Sequence, residues 1–327
     1  MRLMTFFLLK IFLITYFISI LISYFSDNGL AQLKNSKFND WSNILNGKIN
    51  GDLLIMGSSR GYVSYNPEIF SKKLKLSAHN LSFNAGSFKL QLQKLEIYLK
   101  YNKHPKIIIQ NIDLAYFSID KIVPDMHQFL PFYSNKSIIE LNKIYDQNFT
   151  SFSLIPLLKY NQNLKLLKLG IFSNFYQQNY KNQSTFNGFS PQNVTFKIDY
   201  HNLKKLDKYC KEKQNTAQYK SKINEILAFY KNKLNSKTQI IFVWAPEHNL
   251  RLKEKYKPIY NPIAKELTFL IRNNKNVHFV NLSNQTFLND DHYFYDTFHL
   301  NQKGATIFSN ILAYKILNIV KKCSLIR

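Results

Sequence analysis

Short apolar runs recur along the chain from about residue 52, and segments with helical periodicity separate them. Most positions within each run are apolar, so we expect the corresponding strands to be buried on both faces. Five runs predict strands, at residues 52–57, 79–86, 106–112, 238–246 and 277–283. Helices are predicted at residues 88–102, 219–234, 262–273 and 304–320. Buried strands that alternate with helices predict a parallel sheet covered by helices on both sides.

The stretch from residue 118 to 215 breaks this alternation. It is rich in Asn, Gln, Tyr, Phe and Lys, and its most periodic pieces, residues 137–145 and 153–172, have a helical pattern. We interpret it as a largely helical insertion between the third and fourth strands. The sequence therefore predicts an α/β protein, a three-layer α/β/α sandwich of the flavodoxin-like type with about five parallel strands and this insertion.

A long apolar segment lies at the N-terminus. Residues 4–25 carry a single charge, at Lys10, and Arg2 precedes them. A run of 22 residues is long enough to cross a bilayer as one helix, and positive residues ahead of it favour a cytoplasmic N-terminus. We predict a membrane anchor in residues 1–25, a connector in 26–50, and a domain in 51–327 that lies outside the cytoplasm, in a periplasm or at the cell surface.

A cleaved signal peptide is the alternative for this segment. The small residues Gly29 and Ala31 provide a cleavage site, and the domain would then be secreted. The apolar run is long for a signal peptide, which favours the uncleaved anchor.

The chain is strongly basic, with 44 Lys and Arg against 20 Asp and Glu and a net charge of +24. The lysines are scattered, which is typical of a solvated surface, although the same charge would attract anionic partners such as phospholipid headgroups or an acidic envelope polymer. Nucleic acid is not an expected partner, because the sequence contains no basic helix, zinc finger or aromatic-basic strand motif.

The two cysteines, Cys210 and Cys323, are far apart in the sequence and have no Cys or His at metal spacing, so no metal site is expected. Whether they form a disulfide stays open. A nucleotide- or flavin-binding protein would also fit the strand pattern. However, neither G-x-G-x-x-G nor a P-loop lysine follows the first strand, and we expect no cofactor.

Small and polar residues follow the predicted strands, at the carboxyl ends where parallel α/β sheets bind ligands. GSSRG, residues 57–61, follows the first strand and favours a tight turn that presents a hydroxyl at a helix N-terminus. FNAGS (83–87) follows the second strand and QNID (110–113) the third. DTFHLNQKGA (296–305) follows the fifth. Together they offer a nucleophile, a base with an acid, and oxyanion donors, as acyl transfer requires.

These motifs make the sequence similar to the SGNH (GDSL-like) hydrolases. Within that superfamily it resembles membrane-anchored bacterial cell-envelope members related to alginate O-acetyltransferases and to the D-alanyl-transfer protein of teichoic acid modification. The resemblance runs from Asp52 to Val320, without the insertion. DTFHLNQKGA fits the family's D-x-x-H-L-N-x-x-G block nearly in full. IMGSSRG fits the first block, with Ser58 in place of the aspartate of the GDSL form.

The resemblance implies a catalytic triad at two of these motifs. Ser59 would be the nucleophile, His299 the base that takes its proton, and Asp296 the acid that orients the imidazole.

It also implies an oxyanion hole made by the backbone N–H groups of Ser59 and Gly86 and the side-chain amide of Asn111, with Asp113 as the alternative position to Asn111. FNAGS and QNID are the second and third blocks of the family pattern, and both depart from it. Lys89 stands where a further glycine is common in the second block, and the third block is not G-x-N-D.

Three further residues are predicted to contact substrate. Arg60 follows the nucleophile, and Glu247 and His248 follow the fourth strand. The alternative interpretations are a salt bridge for Arg60 and solvent-exposed loop positions for the other two.

The function that the resemblance implies is that of an envelope-anchored serine esterase or O-acyltransferase acting on a glycan or exopolysaccharide. Water as the acyl acceptor makes an esterase, and a sugar hydroxyl makes a transferase. The alternative is a non-catalytic SGNH-fold scaffold or glycan-binding protein in cell-envelope polysaccharide assembly. The altered second and third blocks favour that alternative, and the intact terminal block argues against it.

Overall fold

The computed structural model describes most of the chain. It covers residues 2–84, 86–112, 125–145, 155–176, 187–196, 216–252, 257–272, 274–283, 285, 287 and 290–322. Asp113, Cys210 and Cys323 lie outside the described residues, so the alternative oxyanion position and the pairing of the cysteines stay predictions.

The chain divides into two compact units. The first comprises Met1–Asn46 and Asp125–Ser184, and the second Gly47–Pro124 and Thr185–Arg327. All of the residues predicted to form the functional site belong to the second unit. Residues 125–184 of the predicted insertion belong to the first unit together with the N-terminal segment, an association that the sequence pattern did not indicate.

A five-stranded parallel sheet lies in the second unit. Its strands are β1 (Leu53–Met56), β2 (Ala78–Asn80), β3 (Ile107–Asn111), β4 (Gln239–Trp244) and β5 (Val277–Asn281). Their spatial order is β2-β1-β3-β4-β5, and every neighbouring pair is parallel. This is the flavodoxin-like order of doubly wound α/β proteins, so the predicted fold class is confirmed.

The α-helices are numbered along the chain. They are α1 (Arg2–Gln32), α2 (Lys37–Leu45), α3 (Ser59–Ser64), α4 (Pro67–Leu74), α5 (Phe88–Tyr101), α6 (Lys136–Asn142), α7 (Leu164–Ser173), α8 (Thr216–Lys233), α9 (Asn249–Leu252), α10 (Lys257–Ile271) and α11 (Gln302–Lys322). Short 3-10 segments occur at Met126–Phe132, Leu158–Tyr160 and Asp291–Tyr293.

Helices cover both faces of the sheet. On one face α11 packs against α3 and α4, and on the other α8 packs against α5 and α10. Alternate residues of the strands point to opposite faces, which is why nearly every strand position is buried. Gln110 of β3, for example, bonds with Gln91 of α5 at 2.9 Å and accepts a hydrogen bond from Tyr230 of α8.

The main apolar core lies between the sheet and the α4 and α11 face. It contains residues of three central strands together with aromatic and aliphatic side chains of the two helices, including Ile55, Ile109, Ile241, Phe70, Phe308 and Leu312. All six are fully buried. This core holds the carboxyl ends of β1, β3 and β4 at one edge of the sheet.

The N-terminal region contains more helix than the sequence pattern predicts. The first helix continues past residue 25 to Gln32, and α2 occupies much of the segment predicted to be a connector. The apolar side chains Phe38, Trp41 and Ile44 of α2 are buried, so this segment packs within the first unit instead of acting as a polar linker.

Candidate active site

The predicted site residues follow the carboxyl ends of the strands, at one edge of the sheet. The strand order reverses between β1 and β3, since the chain leaves β1 for β2 on one side and later places β3 on the other. Such a switch point opens a crevice at the carboxyl edge, where ligands of doubly wound proteins bind. Ser59 follows β1 and Asn111 ends β3, so these two residues flank the switch point.

Ser59 is the first residue of α3, directly after a tight turn. The turn depends on two glycines, because the chain passes very close to its neighbours there. A Cβ at Gly57 would lie 3.0 Å from the Asn111 Cβ, and one at Gly61 would lie 2.4 Å from the Ser82 Oγ. The GSSRG pattern therefore allows close packing that a larger residue at either end would disturb.

Ser59, His299 and Asp296 form a continuous hydrogen-bonded row. The Ser59 Oγ lies 2.7 Å from the His299 Nε2, and the His299 Nδ1 lies 2.8 Å from the Asp296 Oδ2. Because a carboxylate only accepts, the Nδ1 carries the proton and the Nε2 lone pair faces the Ser59 hydroxyl. A serine whose hydroxyl donates to a neutral imidazole is arranged to lose its proton as it attacks a carbonyl carbon.

Asp296 is held as a carboxylate by its neighbours. Burial by itself raises the pKa of Asp296, but hydrogen bonds from the His299 ring and from the backbone N–H groups of Phe298 and His299 outweigh burial and lower the pKa. The backbone donors lie 2.7 and 2.8 Å from the Asp296 Oδ1. The ionised carboxylate is therefore available to orient the imidazole and to stabilise its charged form.

The rest of the D-x-x-H-L-N-x-x-G pattern builds the loop that carries His299. The Asn301 Oδ1 accepts from the Gly304 N–H at 3.1 Å, and its amide donates to the His292 carbonyl at 2.7 Å. A Cβ at Gly304 would lie 2.1 Å from the Tyr293 carbonyl oxygen. Leu300 is fully buried. These residues hold the loop on the start of α11, while Asp296 and His299 face the serine.

Asn111 is oriented by a tyrosine that the sequence analysis did not single out. The Tyr65 hydroxyl donates to the Asn111 Oδ1 at 2.6 Å, and both side chains are buried. Because the Asn111 Oδ1 accepts this bond, the Nδ2 group of the same amide points away from Tyr65. Tyr65, one of two tyrosines that follow the GSSRG motif, carries no recognisable signal, because its partner is distant in the sequence and close only in the fold.

Gly86 lies in the connection between β2 and α5, at the same edge of the sheet. The N–H of Phe83 donates to the Gly57 carbonyl at 3.0 Å, so this connection starts beside the turn that holds Ser59. A Cβ at Gly86 would lie 2.8 Å from the Phe83 Cβ, and its carbonyl accepts from Gln91 at 2.9 Å. The oxyanion roles of Gly86 and Asn111 remain predictions.

Arg60 and Glu247 bond to each other across the site. The Arg60 Nη1 lies 2.8 Å from the Glu247 Oε1, and the two side chains are only 5% and 2% exposed. The Arg60 Nη2 also donates to the carbonyls of Ala245 and Pro246, at 2.6 and 3.0 Å. This corresponds to the salt bridge named as the alternative for Arg60. The predicted substrate contacts remain untested, and in this structure the pair joins the turn after β1 to the loop after β4.

His248 has a partner at each ring nitrogen. Its Nε2 lies 2.8 Å from the Asp291 Oδ1, and its Nδ1 accepts from the Leu250 N–H at 3.2 Å. The ring packs edge-on against Phe196 and Phe294, and its backbone N–H donates to the Thr297 carbonyl at 3.2 Å. These contacts of His248 therefore hold in place the loop that contains Asp296 and His299.

Within the residues that the structure describes, no group of three or more His, Cys, Asp or Glu side chains is arranged to hold a metal ion. The chemistry that the described residues offer is that of a serine, a histidine, a carboxylate and nearby amide donors.

Comparisons with known proteins found only distant structural similarity. No family model matches the chain, and no curated protein does. Similar solved structures include two of a family two carbohydrate esterase from Clostridium thermocellum, an active-site mutant and a complex with cellohexaose. They are 7% and 11% identical to this chain, with TM-scores of 0.40 and 0.38. The matches cover 81% and 82% of this chain but only 63% and 64% of those chains. Likeness at this level assigns no activity.

Proposed function

We propose that this protein is a serine esterase or O-acyltransferase that uses Ser59, His299 and Asp296 as a catalytic triad. The observation that carries the proposal is the hydrogen-bonded row of these side chains, 2.7 Å from serine to imidazole and 2.8 Å from imidazole to carboxylate. Ser59 lies 237 positions before Asp296 in the sequence (296 − 59), and the two meet through His299 at the edge of the sheet where doubly wound proteins bind ligands.

The first half of the reaction forms an acyl-enzyme. The Ser59 Oγ attacks the carbonyl carbon of an ester while its proton moves to the His299 Nε2, and Asp296 stabilises the imidazolium. The negative charge on the carbonyl oxygen is stabilised by the N–H groups of Ser59 and Gly86 and by the Asn111 amide. When the carbonyl re-forms, the ester C–O bond breaks and the leaving alcohol takes the proton from the Nε2.

The second half releases the acyl group. Water or a sugar hydroxyl gives its proton to the His299 Nε2 and attacks the acyl carbon, and the Ser59 Oγ leaves and regains the proton. Water yields a carboxylic acid, whereas a sugar hydroxyl yields a new ester.

We propose an acylated glycan as the substrate. The proposal relies on the resemblance of the terminal motif to those of glycan-modifying SGNH enzymes. The aromatic residues beside the base fit this class, since the Tyr295 ring stacks on the His299 ring with centroids 5.0 Å apart and is partly exposed. An aromatic ring at this position beside the nucleophile and its base can pack against the apolar face of a sugar ring.

We further propose that the first helix is retained as a membrane anchor and that the enzyme works outside the cytoplasm. Among the described residues, one helix is long and apolar enough to cross a membrane, and it lies near the N-terminus. Cleavage after Ala31 would remove Ser23, Ser26 and Leu30 and leave Leu33, and all four side chains are buried inside the first unit. Burial of residues on both sides of the cleavage position supports retention.

The test of the catalytic proposal is labelling with a fluorophosphonate, which reacts covalently with an activated serine. The full chain in detergent should be labelled at Ser59, and Ser59→Ala and His299→Ala should each lose labelling. Ser82→Ala is the matched control, because Ser82 lies beside the same turn and should leave labelling unchanged. Equal labelling of the wild type and both triad variants would overturn the proposal that the protein is an enzyme. It would favour a non-catalytic scaffold or glycan-binding protein.

A further inference from the structure

The first unit exposes a group of large apolar side chains on and beside α7. These residues, here named the α7 surface, are between 51% and 69% exposed: Ile155, Leu164, Phe172, Phe175 and Tyr176. In a water-soluble protein such side chains would be expected inside the core. Instead, of the residues from 155 to 176 only Tyr160 and Gly170 are buried. Five large exposed apolar side chains within 22 residues exceed the scattered single exposures of an ordinary surface, and we interpret them as a binding surface.

Helix α7 crosses α1 at a close contact between small residues. A Cβ at Gly29 would lie 1.7 Å from the Gly170 carbonyl oxygen, and a Cβ at Gly170 would lie 2.3 Å from the Ser26 carbonyl oxygen. The Ser26 hydroxyl donates to the Leu167 carbonyl at 3.1 Å. Small residues at such a crossing let two backbones meet, which is how helices associate in membranes.

The hydrogen bonds that join α1 to α7 and to its C-cap residue Asn174 fall within one turn of α1. Asn174 donates to the Phe25 carbonyl at 2.7 Å and pairs with the Asn28 side chain at 3.0 Å. Leu167, two turns earlier in α7, contacts Ser26. Leu167 and Asn174 are seven positions apart, yet their partners lie within one turn of α1, so α7 crosses α1 at an angle.

That turn lies at the end of the apolar run of α1. Residues 4–25 are apolar except for Lys10, and the side chains from Leu3 to Leu21 are almost all exposed. At the end of the run Tyr24 and Phe25 are 64% and 46% exposed, next to the contact with Asn174. Aromatic side chains collect at this depth of membrane proteins, where their rings meet the headgroups.

The charges of this region also fit a membrane surface. Residues 155–176 contain three lysines and no acid. Lys159 pairs with Asp27 of α1 at 2.5 Å, while Lys165 and Lys168 of α7 are exposed. Lysines beside exposed apolar residues are typical of helices that lie in the interface of a membrane with anionic lipids.

We propose that the α7 surface lies in the interfacial layer of the bilayer that α1 crosses. Helix α7 spans about 15 Å, roughly half of the hydrocarbon core, so it is too short to cross the membrane, and its angle to α1 directs it along the membrane surface. The exposed apolar run of α1 ends at Phe25, which contacts Asn174 next to Phe175 of the α7 surface. Because α1 is proposed to lie in lipid, the occupant of the neighbouring α7 surface is lipid in preference to a protein. The first unit would then hold the bilayer at two places, a crossing helix and an element lying in the plane. This inference rests on the proposed anchor but not on the proposed chemistry.

Tryptophan fluorescence with the full chain in liposomes tests the proposal. The two native tryptophans, Trp41 and Trp244, are 1% and 0% exposed and give a background that the wild type measures. Phe175→Trp places a reporter on the α7 surface, and Tyr314→Trp is the matched control on α11, 64% exposed in the native residue. Liposomes of phosphatidylcholine and phosphatidylglycerol are made with and without bromine at shallow acyl positions.

Brominated lipid should quench the emission added by Phe175→Trp much more strongly than that added by Tyr314→Trp. Acrylamide in the buffer should show the opposite preference. Three results would overturn the proposal: equal acrylamide quenching of both variants, equal bromine quenching of both, or protection of Phe175→Trp from both quenchers, which would mean that protein covers the surface. A chain that does not float with the liposomes refutes the anchor, and with it this inference. Fluorophosphonate labelling of Ser59 is independent of all these results.

Discussion

Two of the histidine–aspartate pairs near the carboxyl edge of the sheet make nearly the same first contact. His299 lies 2.8 Å from an oxygen of Asp296, and His248 lies 2.8 Å from an oxygen of Asp291. They differ at the other ring nitrogen. In His299 that nitrogen faces the Ser59 hydroxyl at 2.7 Å, whereas in His248 it accepts the Leu250 N–H.

The difference shows that a histidine–aspartate pair is not in itself a sign of catalysis. A general base needs a lone pair directed at a proton that the reaction removes. His299 has one. The lone pair of His248 is used by a backbone N–H, and its ring is enclosed by Phe196 and Phe294, so we interpret it as a brace for the loop beside it.

Replacing each histidine in turn is the strongest way to break this comparison. His299→Gln should lower kcat/KM for a chromogenic acetyl ester by on the order of 10³ to 10⁶, since loss of the base removes the concerted action of the triad. His248→Gln should stay within about tenfold of the wild type, because it alters only the support of the loop. Similar losses in both variants, with both chains folded by circular dichroism, would contradict the assignment of roles.

The two aspartates extend the comparison. Asp296→Asn keeps the shape of the side chain but no longer stabilises the imidazolium or selects its tautomer, so kcat should fall by about 10³ to 10⁴ with little change in KM. Asp291→Asn should leave kcat within a few fold. The measurement is a steady-state assay of both variants. Retention of wild-type kcat by Asp296→Asn would show that this carboxylate has no part in the reaction.

The ion pair of Arg60 and Glu247 connects the two regions, because Arg60 follows the nucleophile and Glu247 precedes His248. Arg60→Met or Glu247→Leu alone leaves a buried charge without its partner and should lower the free energy of unfolding by about 3–5 kcal/mol. The double variant should lose much less than the sum of the two. Thermal unfolding measures all three.

The exposed pair Glu68 and Lys72, 3.3 Å apart, is the matched control for that experiment. Glu68→Gln should change the free energy of unfolding by at most about 0.5 kcal/mol. Strict additivity of the Arg60 and Glu247 variants would mean that the buried contact contributes nothing to stability.

The smallest expected effect is the pH dependence of stability that Asp296 provides. Its pKa in the folded chain is lowered from 3.8, so its contribution is complete above pH 3.8 and is lost as the pH falls through the folded pKa. The difference in unfolding free energy between the wild type and Asp296→Asn should therefore narrow as the pH falls below 3.8. Urea unfolding at a series of pH values measures it, and a difference that is constant down to pH 2 would contradict the lowered pKa.

Much of the sheet unit was predictable from local patterns. Apolar runs predicted all five strands, and α5, α8, α10 and α11 lie where helical periodicity predicted helices. The second strand is shorter than predicted, at Ala78–Asn80, because the chain turns towards the site after it. Local patterns succeed here because burial on both faces of a parallel sheet leaves a continuous apolar signal in each strand.

Contacts between distant residues were not predictable in the same way. Nothing in the sequence links Tyr65 to Asn111 or Arg60 to Glu247, since each pair meets only when β1, β3 and β4 lie side by side. The segment between β3 and β4 was predicted as a largely helical insertion, and its described residues from 125 to 176 belong to the same compact unit as the N-terminal helices. The helical pattern of this segment predicted its secondary structure but not which other part of the chain it packs with.

Local sequence was enough to predict the strands, the two motifs that end in Gly61 and Gly304, and the types of residue that an acyl-transfer site requires, because each of these depends on neighbours within a few positions. The resemblance of the terminal motif predicted His299 as the base, but the distance of its ring from Ser59, and the different partner of the His248 ring, become visible only in the folded chain. His299 and His248 each have an aspartate, and the choice between base and brace depends on where Ser59 and Leu250 lie around each ring. That geometry is set by the packing of whole strands and helices, which no short segment of sequence contains.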